Sequence, residues 1–235
     1  MKIVHFFGQL VSSLIELKGT YRVHGVQMPV DKRIMSVTVT TAIFGKTYEK
    51  AEALAIAHYI KSNDRVLELG GGIGLISTIA AKKAFQGTVV TVEANPKLIP
   101  FIKKVHRLNN VKVETVNAVV TAEKTPDKFK FYVRRYFWGS SLSPEPNDYS
   151  EVISVESVTI DELVALHKPT ILIVDIEGGE IGLMSGNWMK EIRVITMEVH
   201  PNLTGHNSVQ KMMDFLKSKK FQVSLNGNML TAASY

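Results

Sequence analysis

Four glycines fall within five residues where an apolar run ends, in VLELGGGIG at 66–74. Glycine lets a backbone pass through positive φ and come close to a ligand or to another segment. A dinucleotide, an ATP phosphate or S-adenosylmethionine could each occupy such a loop. No Gly-Lys-Ser/Thr follows, so the lysine and the magnesium-binding hydroxyl of a phosphate loop are missing. The nicotinamide fingerprint G-x-G-x-x-G also fails. Counted from Gly70 its third glycine position holds Leu75, and counted from Gly71 its second holds Ile73. The pattern acidic-x-Gly-x-Gly-x-Gly does fit, as Glu68, Gly70, Gly72 and Gly74. S-adenosylmethionine has no phosphate but carries an ammonium and a sulfonium, whose charge a carboxylate at a strand end offsets.

Further polar residues end other apolar runs. Glu93, closing TVVTVE, is placed to accept both hydroxyls of a ribose. Without a nucleoside it would serve as a negative charge ahead of the helix after Asn95-Pro96. Asn117 and Ala118 follow the next strand, where an adenine would lie against the sheet edge. Asp175 and Glu177 stand two residues apart and would project to one side if extended. Such a pair implies a shared proton, a divalent metal, or one carboxylate on the cofactor amine and the other on substrate. His200 is the best single base by residue type, since a pKa near ~6.5 leaves imidazole mostly neutral at pH 7. A metal would have only oxygen ligands such as Asp175, together with His200, because the chain has no cysteine. In KFKFYVRRYFWGSSLSPEPN basic and aromatic side chains interleave. Arg134 and Arg135 would hold an acidic group, with Tyr136, Trp138 and Ser141 as further substrate contacts. An RNA platform with stacked bases is the other reading of that stretch.

These positions need strands that end side by side. From residue 65 strands and helices alternate: strands at 65–69, 88–93, 112–116, 170–175 and 192–199, helices at 74–84, 97–108, 160–167, 179–189 and 207–219. That is the pattern of a doubly wound parallel sheet. The rhythm breaks at about 128–158, where KFKFYV and EVISVESVT predict a β insertion. FQVSLNGNMLTAAS predicts a closing hairpin turning at Asn226-Gly227, which forces one antiparallel strand. The expected architecture is therefore a Rossmann-like class I methyltransferase fold, a mostly parallel sheet with a reversed C-terminal strand. Residues 1–47 are expected as an N-terminal extension, an amphipathic helix over the first residues and a strand-like stretch at 21–43 that includes Ile34–Thr40. Residues 48–235 are expected as the catalytic domain, starting with a helix at 48–61.

Composition narrows the partners. With 235 residues, 45% hydrophobic and 21% charged, the chain can bury a full core. The absence of cysteine excludes disulfides, thiolate zinc sites and cysteine nucleophiles, and it suits the cytoplasm. No apolar run reaches the ~18 residues of a membrane span. The net charge of +6 favours anionic partners, but it is spread over several helix faces. The amphipathic N-terminal segment makes a homodimer an expectation.

Taken together, the motifs resemble the FkbM family of methyltransferases from about Gly45 to the C-terminus. The family's Gly-x-x-Tyr-Glu stretch matches Gly45, Tyr48 and Glu49, followed in order by the glycine loop, VEANP, the Asn-Ala pair, Ser140-Ser141-Leu142, the Ile-Asp-Glu-Leu helix start, ILIVDIEGGE and ITMEVHP. Asp-x-Glu-Gly-x-Glu, here Asp175 to Glu180, is the most specific of them; a lysine frequent two residues earlier is Ile173. The resemblance implies a seven-stranded sheet and S-adenosylmethionine as cofactor, with Tyr48, Glu49 and Ala94 joining the cofactor contacts. It implies O-methylation of a hydroxyl of a sugar or glycan, acidic ones included; for that reaction the residue types give His200, Asp175 and Glu177 as the catalytic set. RNA methylation is the alternative; no stable nucleic-acid partner is expected, since no Asn/Asp-Pro-Pro-Tyr motif or added RNA-binding domain is present.

Overall fold

Residues 19–124, 126–134, 137–145, 148–176, 179–183 and 188–234 are described here from a computed structural model. They begin with a hairpin, β1 (Thr20–Val23) and β2 (Val26–Pro29), and helix α1 (Val37–Phe44). Helix α2 (Lys50–Tyr59) leads into β3 (Arg65–Leu69), α3 (Leu75–Lys83), β4 (Thr88–Glu93), α4 (Ile99–Leu108) and β5 (Glu114–Asn117). A side sheet follows, of β6 (Val119–Thr121), β7 (Lys128–Val133) and β8 (Glu151–Thr159). The chain then forms α5 (Ile160–His167), β9 (Ile171–Val174), β10 (Val194–Glu198), α6 (Pro201–Thr204), α7 (His206–Ser218), β11 (Gln222–Asn226) and β12 (Met229–Ala233).

The central sheet has seven strands in the order β11-β12-β10-β9-β3-β4-β5. The ladders among β10, β9, β3, β4 and β5 are parallel, and β12 runs antiparallel to both β10 and β11. Its strands alternate between two apolar layers, as a sheet covered on both faces requires. Val66, Ile171, Ile173 and Val194 join the layer made by β1, β2 and α1 to α4. Leu67, Leu69, Leu172, Val174, Ile195 and Met197 join the layer under α5 and α7. On α7 the buried positions Val209, Met212 and Leu216 follow the helical repeat. Burying a side chain such as Leu67 or Leu172 contributes about 1.5–3 kcal/mol. Among the described residues no helix is long and apolar enough to cross a membrane.

Three local expectations are corrected. The β-branched stretch around Val37–Thr40 is helical, as part of α1. Ser36 caps it by accepting from the Val39 backbone N–H at 3.2 Å, and Val39, Thr40 and Ile43 are buried at helical spacing, so packing overrides strand propensity. Residues 179–189 do not form one α-helix; the described parts are 3-10 turns at Glu180–Leu183 and Trp188–Glu191. They are held by the local bond from Trp188 Nε1–H to the Leu183 carbonyl at 3.0 Å and by burial of Leu183, Trp188 and Met189 in the core. The closing hairpin turns one residue later than expected. Asn226 pairs with Met229, leaving Gly227-Asn228 as the loop, with the required positive φ (61°) at Gly227.

The amino ends of the central strands are tied by one buried carboxylate. Asp64 accepts from Thr170 Oγ1 at 2.8 Å, from the Lys61 N–H at 2.6 Å and from Arg193, whose Nη2 also donates to the Tyr59 carbonyl at 2.7 Å. These residues precede β3, β9 and β10, at the edge opposite the glycine loop. Removing one partner of such a pair leaves the other charge without compensation. Asp64→Ala is expected to cost about 3 kcal/mol, seen in a thermal melt as a loss of roughly 6–12 °C in Tm.

Candidate active site

The sheet changes winding direction between β3 and β9, so their carboxyl ends open a crevice, the place where doubly wound sheets bind ligands. A cleft of about 1010 Å³, open mouth included, lies there. Its described lining comes from the start of α2, the glycine loop, the ends of β4, β5 and β9, and the side sheet with its 137–142 loop.

The glycine loop is shaped mainly by its own protein. At Gly70, with φ 91°, a Cβ would lie 1.7 Å from the Asp175 carbonyl oxygen. At Gly71 it would lie 2.5 Å from Thr91 Oγ1, and at Gly74 3.2 Å from the Ile102 Cα. Only at Gly72 does it meet nothing closer than Phe137, at 4.0 Å. Gly72 is therefore the loop residue that leaves its space to the cleft.

Glu93 is buried at the end of β4. Its Oε2 accepts from the Gly72 N–H at 2.8 Å and its Oε1 from the Asn95 N–H at 2.7 Å. Burial raises its pKa to about 7, partly offset by those backbone donors. Ala94, Leu98 and Ala118 line the cleft beside it. The Asn117 side chain does not; its amide donates to the carbonyls of Glu93 (2.8 Å) and Ala94 (3.0 Å), fastening β5 to the end of β4.

The opposite wall is acidic. Tyr48, Glu49, Glu52, Glu68 and Asp175 all line it. Glu68 is 1% exposed, and neither carboxylate oxygen has a hydrogen-bond partner of good geometry, although the hydroxyls of Thr91 and Ser77 approach it. Burial lifts its pKa to about 8 and that of Glu49 to about 7. Glu52 rises well above the usual range through burial and then through its neighbours Glu49, Asp175, Glu68 and Glu198. Burial, and then Glu49, also raises Tyr48. Carboxylates so close together in a dry wall keep protons or await a cation. No lysine, arginine or histidine is among the described lining residues.

His200 stands at the N-terminal end of α6, one layer behind that wall. Its Nδ1 lies 2.9 Å from Oε1 of buried Glu180, and its Nε2 lies 3.9 Å from Oδ1 of Asp175. Donor atoms of Asp175, Glu198 and His200 fall within 4.8 Å of one another, a spacing that a divalent cation could also use. Glu177 and Tyr136, like Arg135, lie outside the described residues, as does the side chain of Trp138.

Arg134 is 7% exposed and does not face the cleft. Its guanidinium donates to the carbonyls of Gly139 (2.8 Å) and Ser143 (2.8 Å) and to Ser141 Oγ (3.0 Å), so it braces the loop instead of offering itself to an acidic substrate. Ser141 lines the cleft, joined by Phe131, Phe137, Ser140 and Leu142. Glu52 and Glu180 were not singled out as site residues from sequence. Glu52 was within reach, being three residues after Glu49 and so on the same helix face. Nothing local marks Glu180 as a partner of His200, which lies twenty residues away.

This strand order, with its single reversed strand and crevice at the switch point, is that of the class I methyltransferases. The family model described as the methyltransferase FkbM domain matches residues 68–223, more than half of the chain. The chain belongs to the FkbM methyltransferase family. No curated protein matches it. Among solved structures, the tRNA (uracil-54, C5)-methyltransferase of Pyrococcus abyssi, in complex with S-adenosyl-L-homocysteine, aligns with a TM-score of 0.50 at 13% identity, over 91% of this chain and 43% of that one. A Pyrococcus horikoshii transferase aligns at 0.51 with 12% identity, over 91% and 69%. The precorrin-6y C5,15-methyltransferase of Geobacter metallireducens aligns at 0.49 with 14% identity, over 88% and 94%. At these identities the likeness is one of fold.

Two predictions follow from the geometry. Gly70→Ala meets a backbone carbonyl at positive φ and should lower Tm, overpacking alone costing about 1–3 kcal/mol. Gly72→Ala should cost only the strain of its φ of 51°, about 1–2 kcal/mol, while intruding on the cleft. Thermal melts of both variants check the contrast. The second concerns pH. Glu49 and Glu93 (about 7) and Glu68 (about 8) bind protons more tightly in the folded chain than at the unfolded value of 4.5. Their stabilising effect is complete at low pH and is lost as pH rises through 7 and 8. His106, lowered by burial to about 4, opposes this only below pH 6.5, and Asp64 and Glu162, held low, matter only at still lower pH. Melts should therefore show stability falling between pH 6.5 and 8, with a shallower fall in Glu68→Gln.

Proposed function

We propose that this chain is an S-adenosylmethionine-dependent O-methyltransferase acting on a hydroxyl of an uncharged sugar or glycan. The observation that carries this reading is the charge of the cleft: its described lining has Glu49, Glu52, Glu68, Glu93 and Asp175 and no basic side chain. Such a lining suits a cofactor with an ammonium and a sulfonium. It opposes a polyanion, whose phosphates require lysine or arginine. The orphaned oxygens of buried Glu68 and the open space at Gly72 fit a cationic ligand lying across the loop.

Glu93 would hold the ribose, standing at the end of β4 with its carboxylate fixed by the Gly72 and Asn95 backbone N–H groups at the cleft lining. Ala94, Leu98 and Ala118 would flank the adenine, and the Gly72 backbone with the Glu49, Glu68 and Asp175 carboxylates would face the methionine end. The cofactor supplies an electrophilic methyl group. The chain's own task is to orient an acceptor hydroxyl in line and to take its proton, because a sugar hydroxyl is a very weak acid. Asp175 touches the cleft, with His200 behind it. On the side-sheet flank the cleft lining is uncharged, formed by Phe131, Phe137, Ser140, Ser141 and Leu142. The sugar class rests on the resemblance to FkbM methyltransferases together with this uncharged aromatic side.

Calorimetric titration with S-adenosylhomocysteine, with NAD as control, is the first test. Binding of the former, weakened by Glu93→Ala about 10–100-fold through loss of charged hydrogen bonds, is expected. Binding of NAD instead, or of neither, overturns the cofactor. Acceptor assays with neutral saccharides, uronic-acid saccharides and tRNA should then give turnover with the first. Turnover confined to tRNA would overturn the sugar reading, and an EDTA arm tells whether a cation at Asp175, Glu198 and His200 takes part.

A further inference from the structure

The β1–β2 hairpin precedes residues 68–223, which the family model matches, yet its turn reaches a residue of the cleft lining. Val23 pairs with Val26, so the loop is His24 and Gly25, both at positive φ (45° and 80°). A two-residue turn of that kind prefers asparagine, aspartate or glycine at its first position, so turn chemistry does not account for a histidine. The ring instead makes a distant contact: His24 Nε2 lies 2.8 Å from the carbonyl of Tyr48, twenty-four residues on. A carbonyl only accepts, so Nε2 carries the hydrogen and donates it.

Tyr48 and its neighbour Glu49 line the cleft. The corner they form between α1 and α2 is strained. Glu49 stands at φ 47° and ψ 31° with no side-chain cap, and Lys46 at φ 56°. With His24 these are three of the six described non-glycine residues at positive φ, so the strain is concentrated here. Left-handed backbone at such residues persists only where the surroundings enforce it. Tyr48 is held on both sides: its N–H donates to the Ala42 carbonyl at 3.2 Å, and its carbonyl accepts from His24. The hairpin is in turn clamped to α3, the helix after the glycine loop, and to the end of α4. Lys82 donates to the Gly25 carbonyl (2.7 Å) and to Asn109 Oδ1 (2.9 Å). The Asn109 amide exchanges two hydrogen bonds of 2.8 Å with the N–H and carbonyl of Gln27.

We propose that His24 is a positioning residue that holds the Tyr48–Glu49 corner against the methionine end of the cofactor, so that the hairpin completes the binding site. The inference rests on the methyltransferase reading above. The Tyr48–Glu49 peptide is planar, so fixing the Tyr48 carbonyl fixes the direction in which the chain enters Glu49. Without that hold Glu49 relaxes from the left-handed region, and its carboxylate leaves the wall it shares with Glu52 and Glu68. The loss falls on cofactor affinity.

The test compares the unaltered chain with His24→Asn and His24→Gln by thermal melts and by calorimetric titration with S-adenosylhomocysteine. Asparagine suits the turn, but its shorter amide does not reach Tyr48; glutamine brings an N–H to the place of Nε2. His24→Asn should keep or raise Tm while binding S-adenosylhomocysteine about 10-fold more weakly, the worth of one hydrogen bond. His24→Gln should keep the affinity of the unaltered chain. Nitrogen-15 NMR of the neutral His24 ring in the unaltered chain should find the hydrogen on Nε2, a readout that stands even if a variant does not fold. Unchanged affinity in His24→Asn, an equal loss in His24→Gln, or a ring hydrogen on Nδ1 overturns the proposal. A fall in Tm with affinity intact also overturns it, marking His24 as a brace of the fold alone. Failure of the methyltransferase reading would appear differently, as no S-adenosylhomocysteine binding by the unaltered chain.

Discussion

The contact on which the site depends is between two backbones. Gly70 ends β3 and Asp175 ends the neighbouring β9, and a Cβ on Gly70 would lie 1.7 Å from the Asp175 carbonyl. The Asp175 N–H donates to the Leu69 carbonyl at 2.9 Å, so the two strand ends stay hydrogen-bonded up to the point where the chains diverge. That closeness places the Asp175 carboxylate next to the glycine loop and brings Glu68 within electrostatic reach of Glu49 and Glu52. Any side chain at position 70 would separate the strand ends and with them the cleft walls.

Charge is the second organising feature. The chain carries a net charge of +6, yet the cleft is lined by carboxylates and the buried Arg134 spends its guanidinium on loop carbonyls. The excess of basic side chains is thus kept out of the described cleft lining. Carboxylates held away from water give up their protons reluctantly, which is why Glu49, Glu68 and Glu93 are raised to about 7, 8 and 7. The same burial makes stability fall as pH rises through 7 and 8.

Much of this arrangement could be read along the chain. Short runs such as RVLEL and TVVTVE are too apolar for a half-exposed strand, which marks a sheet covered on both faces, and the alternation with helices makes that sheet parallel. Glycine and proline positions, the acidic strand ends and the Asn-Gly pair located the crevice and the reversed strand to within a residue or two. The misses have a common cause. The Val37–Thr40 stretch, with its β-branched residues, became a helix because Val39 and Ile43 had an apolar layer to fill. Arg134, a substrate contact by residue type, became a loop brace because carbonyls of 139 and 143 surround it.

The sequence by itself determined the alternation of strands and helices, the mostly parallel sheet and its reversed C-terminal strand, because periodicity and turn chemistry act over a few residues. Only the tertiary structure decided which glycine leaves room for a ligand, that Glu52 joins Glu49, Glu68 and Asp175 in one wall, and that Glu180 grips His200 from behind. Those facts depend on distances between segments far apart in the chain, and burial and Coulomb energy are set by those distances, not by spacing along the backbone.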